Sequence, residues 1–160
     1  MEVLYHSRTP KPDVDDLPGV TYCENMYELL SNSDYVSVHV PLTPETYYLI
    51  SYDELKAMKK DSVLINTARG PIVNPSALYD ALNEGWIRSA GIDVTDPEPI
   101  EPDSPLLTLD NLIISPHIGS ASIDARRKMC MIAAGNLILG SNGERLEYCA
   151  NPEVYQKLGL

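Results

Sequence analysis

Positive charge and long apolar segments are both scarce in this chain of 160 residues. Twelve Lys and Arg stand against 23 Asp and Glu, which gives a formal net charge of -11. Such a surface repels a polyanion, so nucleic acid is excluded as a natural partner. No apolar run reaches the roughly 18 residues that a membrane span requires, and no basic segment leads into an apolar one at the start. We therefore expect neither a membrane anchor nor a signal peptide.

Cysteine is also rare. Cys23, Cys130 and Cys149 form no CxxC pair, and one thiol would be left over if two formed a disulfide. This usage is typical of a compartment in which thiols stay reduced, and it favours a cytoplasmic location. We expect no metal site.

Short runs rich in valine and isoleucine alternate with segments of helical spacing, the pattern of an α/β fold with a parallel sheet. The predicted strands are residues 2–6, 35–40, 62–66, 89–94 and 112–115. The runs 63–65 and 112–114 are continuously apolar, which predicts strands covered on both faces.

Capping residues predict helices between these strands. Ser51 and Glu54 have capping-box spacing, whereas Asn74 and Pro75 are typical of a helix start that Gly85 would end. Four prolines within residues 95–105 predict a stiff loop. A longer helix is expected after Ser120, with one apolar face that predicts core or a subunit contact, formed by Ala125, Met129, Ile132, Ala133 and Leu137.

A glycine-rich turn is missing. A doubly wound sheet that binds a dinucleotide normally carries one between its first strand and first helix, where backbone N–H groups meet the pyrophosphate. This chain has nine glycines and no GxG. Either the fold binds another ligand, or the chain starts after the first strand, turn and helix.

Polar residues of three kinds lie at or beyond the ends of three predicted strands: Arg69 after the third, Asp93 near the end of the fourth with Glu98 after it, and His117 after the fifth. The carboxyl ends of parallel strands form one edge of a sheet, so these groups could converge on one crevice. Arginine can hold a carboxylate or a polarised carbonyl, and histidine can move a proton near neutral pH, with a carboxylate beside it favouring the charged ring. Each residue taken alone is as well explained by a solvated loop.

Three segments resemble the signature blocks of the D-isomer-specific 2-hydroxyacid dehydrogenases. They are residues 63–70 (VLINTARG), residues 91–94 (GIDV) with Glu98-Pro99, and residues 115–120 (SPHIGS), in the family's order and spacing. Residues 40–46 (VPLTPET) and 106–109 (LLTL) make the likeness greatest to glyoxylate and hydroxypyruvate reductases. The resemblance implies a partial Rossmann-like, doubly wound α/β domain that lacks its first strand-turn-helix unit.

The resemblance also implies roles for individual residues. Arg69 would bind the carboxylate and carbonyl of a small 2-keto acid, His117 would be the general acid in its reduction, and Glu98 would orient and protonate His117. The hydride would come from a nicotinamide cofactor. The implied cofactor-binding residues are Val40, Pro41, Thr46, Thr67, Ala68, Arg69, Asp93, His117, Gly119 and Ser120.

The residues at the end of the first predicted strand bear on the choice between NADP(H) and NAD(H). In dinucleotide folds this position faces the adenosine ribose, where a carboxylate accepts from the 2'-hydroxyl and an arginine accommodates a 2'-phosphate. Here Ser7, Arg8 and Thr9 occupy it, and no carboxylate follows until Asp13. We therefore expect NADP(H), with NAD(H) possible and a plain basic turn as the alternative.

Family members usually carry a separate substrate domain and the glycine-rich turn upstream. We accordingly interpret residues 1–145 as a truncated NAD(P)-binding domain and residues 146–160 as a tail that packs on the substrate domain. The resemblance implies a homodimer formed through the nucleotide domain, and a chain that, alone, binds cofactor weakly and turns over little. Two alternatives are a dinucleotide-sensing, corepressor-like binding module and a structural or oligomerisation fragment.

Overall fold

The computed structural model describes residues 1–159, which form two compact units, Met1–His117 and the residues from Ile118 onward. The first unit contains six strands and four α-helices, which follow one another as β1 (Val3–Tyr5), α1 (Pro12–Asp15), β2 (Val20–Tyr22), α2 (Met26–Asn32), β3 (Tyr35–Val38), α3 (Tyr52–Ala57), β4 (Val63–Asn66), α4 (Pro75–Asn83), β5 (Ser89–Ile92) and β6 (Leu112–Ile114). Short 3-10 turns occupy Gly70–Ile72 and Pro105–Thr108. The predicted domain boundary after residue 145 stays a prediction, and Leu160 of the predicted tail lies outside the described residues.

The strands form two parallel sheets. β1 pairs with β2, and a separate four-stranded sheet has the order β3-β4-β5-β6. Strands and α-helices alternate from β1 to β5, as the sequence predicted, whereas a loop with a 3-10 turn connects β5 to β6. Because every pairing is parallel, the carboxyl ends of β3 to β6 lie along one edge of the larger sheet.

The core lies between the larger sheet and helices α2, α3 and α4. Burial alternates along β3, β4 and β5, so that each strand turns one row of side chains into this core. Its fully buried large residues are Leu30, Leu55, Leu64, Ile72, Leu78 and Ile87. At roughly 1.5–3 kcal/mol for each buried aliphatic side chain, this layer is the main stabilising element of the unit.

The predicted helix ends are confirmed. The Ser51 N–H donates to Glu54 Oε2 at 3.0 Å, which gives α3 the carboxylate half of its capping box. Asn74 Oδ1 accepts from the N–H groups of Ser76 and Ala77 at the start of α4, and Gly85 takes a φ of +70° just after that helix.

The structure differs from the sequence predictions at three points. β2 was not predicted, because three residues are too short for a recognisable alternation. The run 112–114 is not covered on both faces, since β6 is an edge strand and Ile113 is 76% exposed. The predicted strand ends were also too long: β3 stops at Val38 and β5 at Ile92.

The second unit contains α5 (Ile123–Ser141) and the short α6 (Val154–Leu158). Ser122 caps α5, its hydroxyl accepting from the Ala125 N–H at 3.2 Å. None of the α5 residues is buried. Of the two predictions for its apolar residues, the one that places them in the core of this chain is therefore wrong, and a subunit contact stays a prediction. Across residues 1–159, no helix combines the length and apolar character that crossing a membrane requires.

Candidate active site at the carboxyl ends of the strands

The turn after β4 is shaped by Asn66, the last residue of that strand. Its buried side chain accepts from the Ala68 N–H at 3.1 Å and donates to the Arg69 carbonyl at 2.9 Å. Both hydrogen bonds are local and enclosed, so they fix the path of the backbone through Thr67, Ala68 and Arg69. Asn66 was not among the predicted site residues.

Gly70 follows this turn and lies against the backbone of the loop after β5. A Cβ placed on Gly70 would be 1.8 Å from the Thr95 carbonyl oxygen and 2.9 Å from the Asp96 nitrogen. Real atoms cannot approach so closely, so only glycine fits at this position. The contact joins the Arg69 turn to the loop that carries Glu98.

An open pocket of about 560 Å³ lies beside the turn. Its lining brings together the ends of β3 and β4, in the form of His39, Val40, Pro41, Leu42, Thr67, Ala68 and Arg69. Five of these residues were among the predicted cofactor contacts, while His39 was not. The volume is within the usual range for a small-molecule site, and the lining contains no carboxylate.

The Arg69 side chain is exposed, and its Nη1 donates to the Ala68 carbonyl at 2.6 Å. This contact uses one of the five N–H donors of the guanidinium. In a chain with a net charge of -11, a cation at a pocket without carboxylates is suited to an anionic ligand.

Glu98 and His117 are brought together by the loops after β5 and β6. Glu98 Oε1 lies 2.5 Å from His117 Nδ1, and the two side chains are 41% and 48% exposed. A carboxylate can only accept, so Nδ1 carries the proton and Nε2 is the nitrogen that can deliver one from the charged ring. His117 has a φ of +53°, a left-handed conformation in which histidine is enriched relative to most residues. An ion pair this exposed adds little to stability, so its main effect is on the orientation of the ring.

Asp93 lies deeper, at the end of β5. It is 8% exposed and accepts from the Ser115 hydroxyl at 2.5 Å. Its N–H donates to the Asn66 carbonyl at 3.0 Å. Asp93 thus ties together the ends of β4, β5 and β6, and its predicted contact with a nicotinamide stays a prediction.

Ser7, Arg8 and Thr9 form a turn at the carboxyl end of β1. Ser7 Oγ donates to the Thr9 carbonyl at 2.6 Å, and Arg8 is exposed. The pKa of Glu45 is lowered mainly by a hydrogen bond from Thr43, with its own backbone N–H and the charge of Arg8 adding smaller effects. The Arg8 guanidinium is therefore within electrostatic range of the loop after β3.

That loop is held in shape by Thr46. Its hydroxyl donates to the Pro41 carbonyl at 2.6 Å and accepts from the Thr43 N–H at 2.8 Å. Thr46 therefore supports the segment that lines the pocket. The other two predicted cofactor contacts, Gly119 and Ser120, belong to the second unit, and their role stays a prediction.

Parallel strands whose carboxyl ends line a ligand-sized pocket are typical of α/β dinucleotide-binding domains. The family model described as "D-isomer specific 2-hydroxyacid dehydrogenase, NAD binding domain" matches residues 1–119. The chain belongs to this family, as the three sequence blocks predicted.

Individual relatives agree with the family. The chain is 46% identical over 154 residues to a glyoxylate reductase of Korarchaeum cryptofilum, covering 96% of this chain and 46% of that protein. It is 42% identical over 157 residues to glyoxylate/hydroxypyruvate reductase B of Serratia proteamaculans, covering 98% and 48%. The crystal structure of the TT0316 protein from Thermus thermophilus superposes with a TM-score of 0.85 at 46% identity, covering 92% and 45%. The chain thus spans about half the length of the curated relatives it matches.

Proposed function

We propose that this chain supplies the cofactor-binding half and the acid-base pair of an NADP(H)-dependent reductase of small 2-keto acids, with glyoxylate or hydroxypyruvate as substrate. The observation that carries the proposal is the 2.5 Å contact between Glu98 and His117 in a chain of this family. The names of the relatives, glyoxylate reductase and glyoxylate/hydroxypyruvate reductase B, support the substrate class.

The pocket beside Arg69 supports the binding of a nicotinamide dinucleotide. It is open, about 560 Å³ in volume and lined without carboxylates, so it can take part of an extended anionic ligand. Val40, Pro41, Thr67 and Ala68 would contact the cofactor there, and Asp93 would act from the end of β5. When bound, the reduced cofactor supplies the hydride.

The chain's own residues would handle substrate binding and the proton. Arg69 would hold the substrate carboxylate and polarise the keto oxygen with its planar set of donors. Hydride addition at the keto carbon leaves negative charge on that oxygen, and His117 would deliver a proton to it from Nε2. Glu98 would keep Nδ1 hydrogen-bonded and stabilise the charged ring. General acid catalysis of this kind contributes a factor of about 100 to 10,000.

We propose NADP(H) over NAD(H) because of Arg8. Its exposed guanidinium follows β1, where a ribose 2'-phosphate would lie, with Ser7 and Thr9 on either side. The alternative, a basic turn with no ligand, is distinguished by the Arg8 variant described in the Discussion.

The exposed apolar residues of α5 support a homodimer of the complete enzyme. Its most exposed large apolar residues are Ile123, Met129, Met131, Leu137 and Ile138. A helix with such residues in contact with water is typical of one that packs against another part of an assembly. A cytoplasmic location, favoured by the cysteine usage, is part of the same proposal.

The test is a chimaera in which this chain replaces the matching segment of the Korarchaeum cryptofilum glyoxylate reductase. We expect glyoxylate-dependent oxidation of NADPH at roughly 1 to 1,000 per second. The matched control is the chimaera with His117→Ala, which should lose the activity and keep the fold. A folded chimaera that transfers no hydride to glyoxylate, hydroxypyruvate or pyruvate would refute the proposal.

The 160-residue chain should be assayed alone beside the chimaera. We expect weak NADPH binding and little or no turnover, because its sequence offers no GxG cradle for the pyrophosphate. Turnover by the chain alone at the rate of the chimaera would show that the cradle is dispensable.

A further inference from the structure

Tyr48 lies where three segments of the proposed site meet. It belongs to the loop after β3, whose earlier residues line the pocket. Its N–H donates to the Pro71 carbonyl at 2.8 Å, just beyond the Arg69 turn. Its hydroxyl donates to Asp96 Oδ2 at 3.0 Å, in the loop that carries Glu98.

The backbone of Tyr48 is in an unusual conformation. Its φ is +53°, in the left-handed region that bulky side chains rarely adopt. Such a residue persists only where its surroundings hold it, at a cost of order 1–3 kcal/mol. Here the Ile50 N–H donates to Ile72 O at 3.0 Å, and the Asn74 N–H donates to Ile50 O at 2.9 Å. These bonds fix the loop against the segment that follows Arg69.

The side chain of Tyr48 is also held. Its ring stacks on that of Tyr47, with 4.2 Å between the centroids. Hydrogen bonding with Tyr47, burial and the carboxylate of Asp96 raise the pKa of Tyr48 far above that of an ordinary phenol. The hydroxyl therefore stays protonated at every physiological pH and remains a donor to Asp96.

Asp96 transmits this restraint toward Glu98. On one side, the Thr95 carbonyl and the Asp96 nitrogen are pressed against Gly70. On the other side, the Asp96 carboxylate is held by Tyr48. The Thr95 hydroxyl donates to the Pro97 carbonyl at 2.8 Å, which closes the backbone immediately before Glu98.

We propose that Tyr48 is a positioning residue, whose hydroxyl fixes the segment from Thr95 to Glu98 and so holds Glu98 against Nδ1 of His117. This deepens the proposed function and depends on it only for the catalytic consequence. The restraint itself can be measured in the chain without cofactor or substrate.

The direct readout is the proton between His117 and Glu98, observed by NMR in the 160-residue chain. A short imidazole–carboxylate hydrogen bond gives a strongly downfield proton resonance, assigned here by its loss in His117→Gln. We expect Tyr48→Phe to lose or broaden the resonance while the circular dichroism spectrum is unchanged. Asp96→Ala should do the same, whereas Asp96→Asn, which keeps an acceptor oxygen, should retain it.

Tyr27→Phe is the matched control. Tyr27 donates to Glu54 Oε1 at 2.5 Å, a phenol–carboxylate contact between α2 and α3. Its removal should leave the His117 resonance intact. A resonance that survives Tyr48→Phe, or that is absent from the unsubstituted chain, would overturn the proposal.

Kinetics of the chimaera separate the two proposals. Tyr48→Phe should lower kcat by roughly 10- to 100-fold, since misplacing a catalytic group by about 1 Å has an effect of this size, and leave the KM for NADPH unchanged. If the resonance responds as expected but the unsubstituted chimaera is inactive, the positioning role stands and the proposed function fails. If the chimaera is active and Tyr48→Phe changes neither kcat nor the resonance, the positioning role fails and the proposed function stands.

Discussion

Gly70 is in contact with the backbone of Thr95, although 25 residues separate them in the sequence. The carbonyl of Thr95 occupies the space in which a Cβ on residue 70 would lie, at 1.8 Å. The contact sets the distance between the turn that carries Arg69 and the loop that carries Glu98. This contact gives a structural reason for a glycine directly after Arg69.

Gly70→Ala should therefore destabilise the chain. The added methyl group meets backbone, which cannot rotate away, and overpacking of this kind costs about 1–3 kcal/mol or more. Gly135→Ala is the matched control, because Gly135 lies in α5 and its Cβ would meet nothing within 4 Å. That change should be neutral or stabilising by up to about 1 kcal/mol. Urea unfolding followed by circular dichroism measures the stability of both variants. Equal unfolding midpoints would contradict the close contact between Gly70 and the Thr95 backbone.

Arg69→Ala and His117→Ala should each lower kcat/KM of the chimaera by several powers of ten, because one removes substrate binding and the other the proton donor. Arg69→Lys should recover little, since an ammonium group lacks the planar pair of donors. Arg88→Ala, at an exposed arginine just before β5, is the control and should keep full activity. Activity of Arg69→Ala within tenfold of the unsubstituted chimaera would remove this residue from the substrate site.

Arg8→Asp should shift the preference of the chimaera from NADPH toward NADH. The carboxylate would repel a 2'-phosphate and accept from a 2'-hydroxyl. Lys11→Asp makes the same change of charge three residues away, at the start of α1, and should leave the preference unaltered. The ratio of kcat/KM for the two cofactors is the measurement. The same ratio in Arg8→Asp and the unsubstituted protein would refute the role of Arg8.

The rate of keto-acid reduction should fall as pH rises. The active form of His117 carries the proton to be donated, so the reaction requires the charged ring. A profile that stays flat up to about pH 9 would exclude His117 as the acid.

Much of this fold could be predicted because its strands are short apolar runs and because clear capping residues mark the helix ends. The starts of α3 and α4 could be read directly from Ser51 and Asn74. β2 could not, because Val20–Tyr22 is too short to show a period and depends on β1 for its pairing. The exposure of Ile113 was missed because a continuously apolar run does not reveal that its strand lies at the edge.

The site was predicted less completely than the fold. Arg69, Glu98 and His117 were identified from their positions after strands and from the family blocks, and the structure brings Glu98 and His117 into contact. Asn66 and Tyr48 were missed, because their importance arises from hydrogen bonds to backbone and side chains in other segments. A tyrosine in a left-handed conformation leaves no signal in the sequence, since turns of that kind are normally marked by glycine or asparagine.

The separation of the two sheets has a consequence for ligand binding. β1 leads to Arg8 and β3 leads to the pocket, yet among residues 1–159 no ladder of backbone hydrogen bonds joins these two strands. A molecule that touches both Arg8 and the pocket would bridge the two sheets of the first unit. Its binding should therefore slow amide exchange in β1 and β3 together, whereas a mononucleotide held at one end alone should protect only one of them.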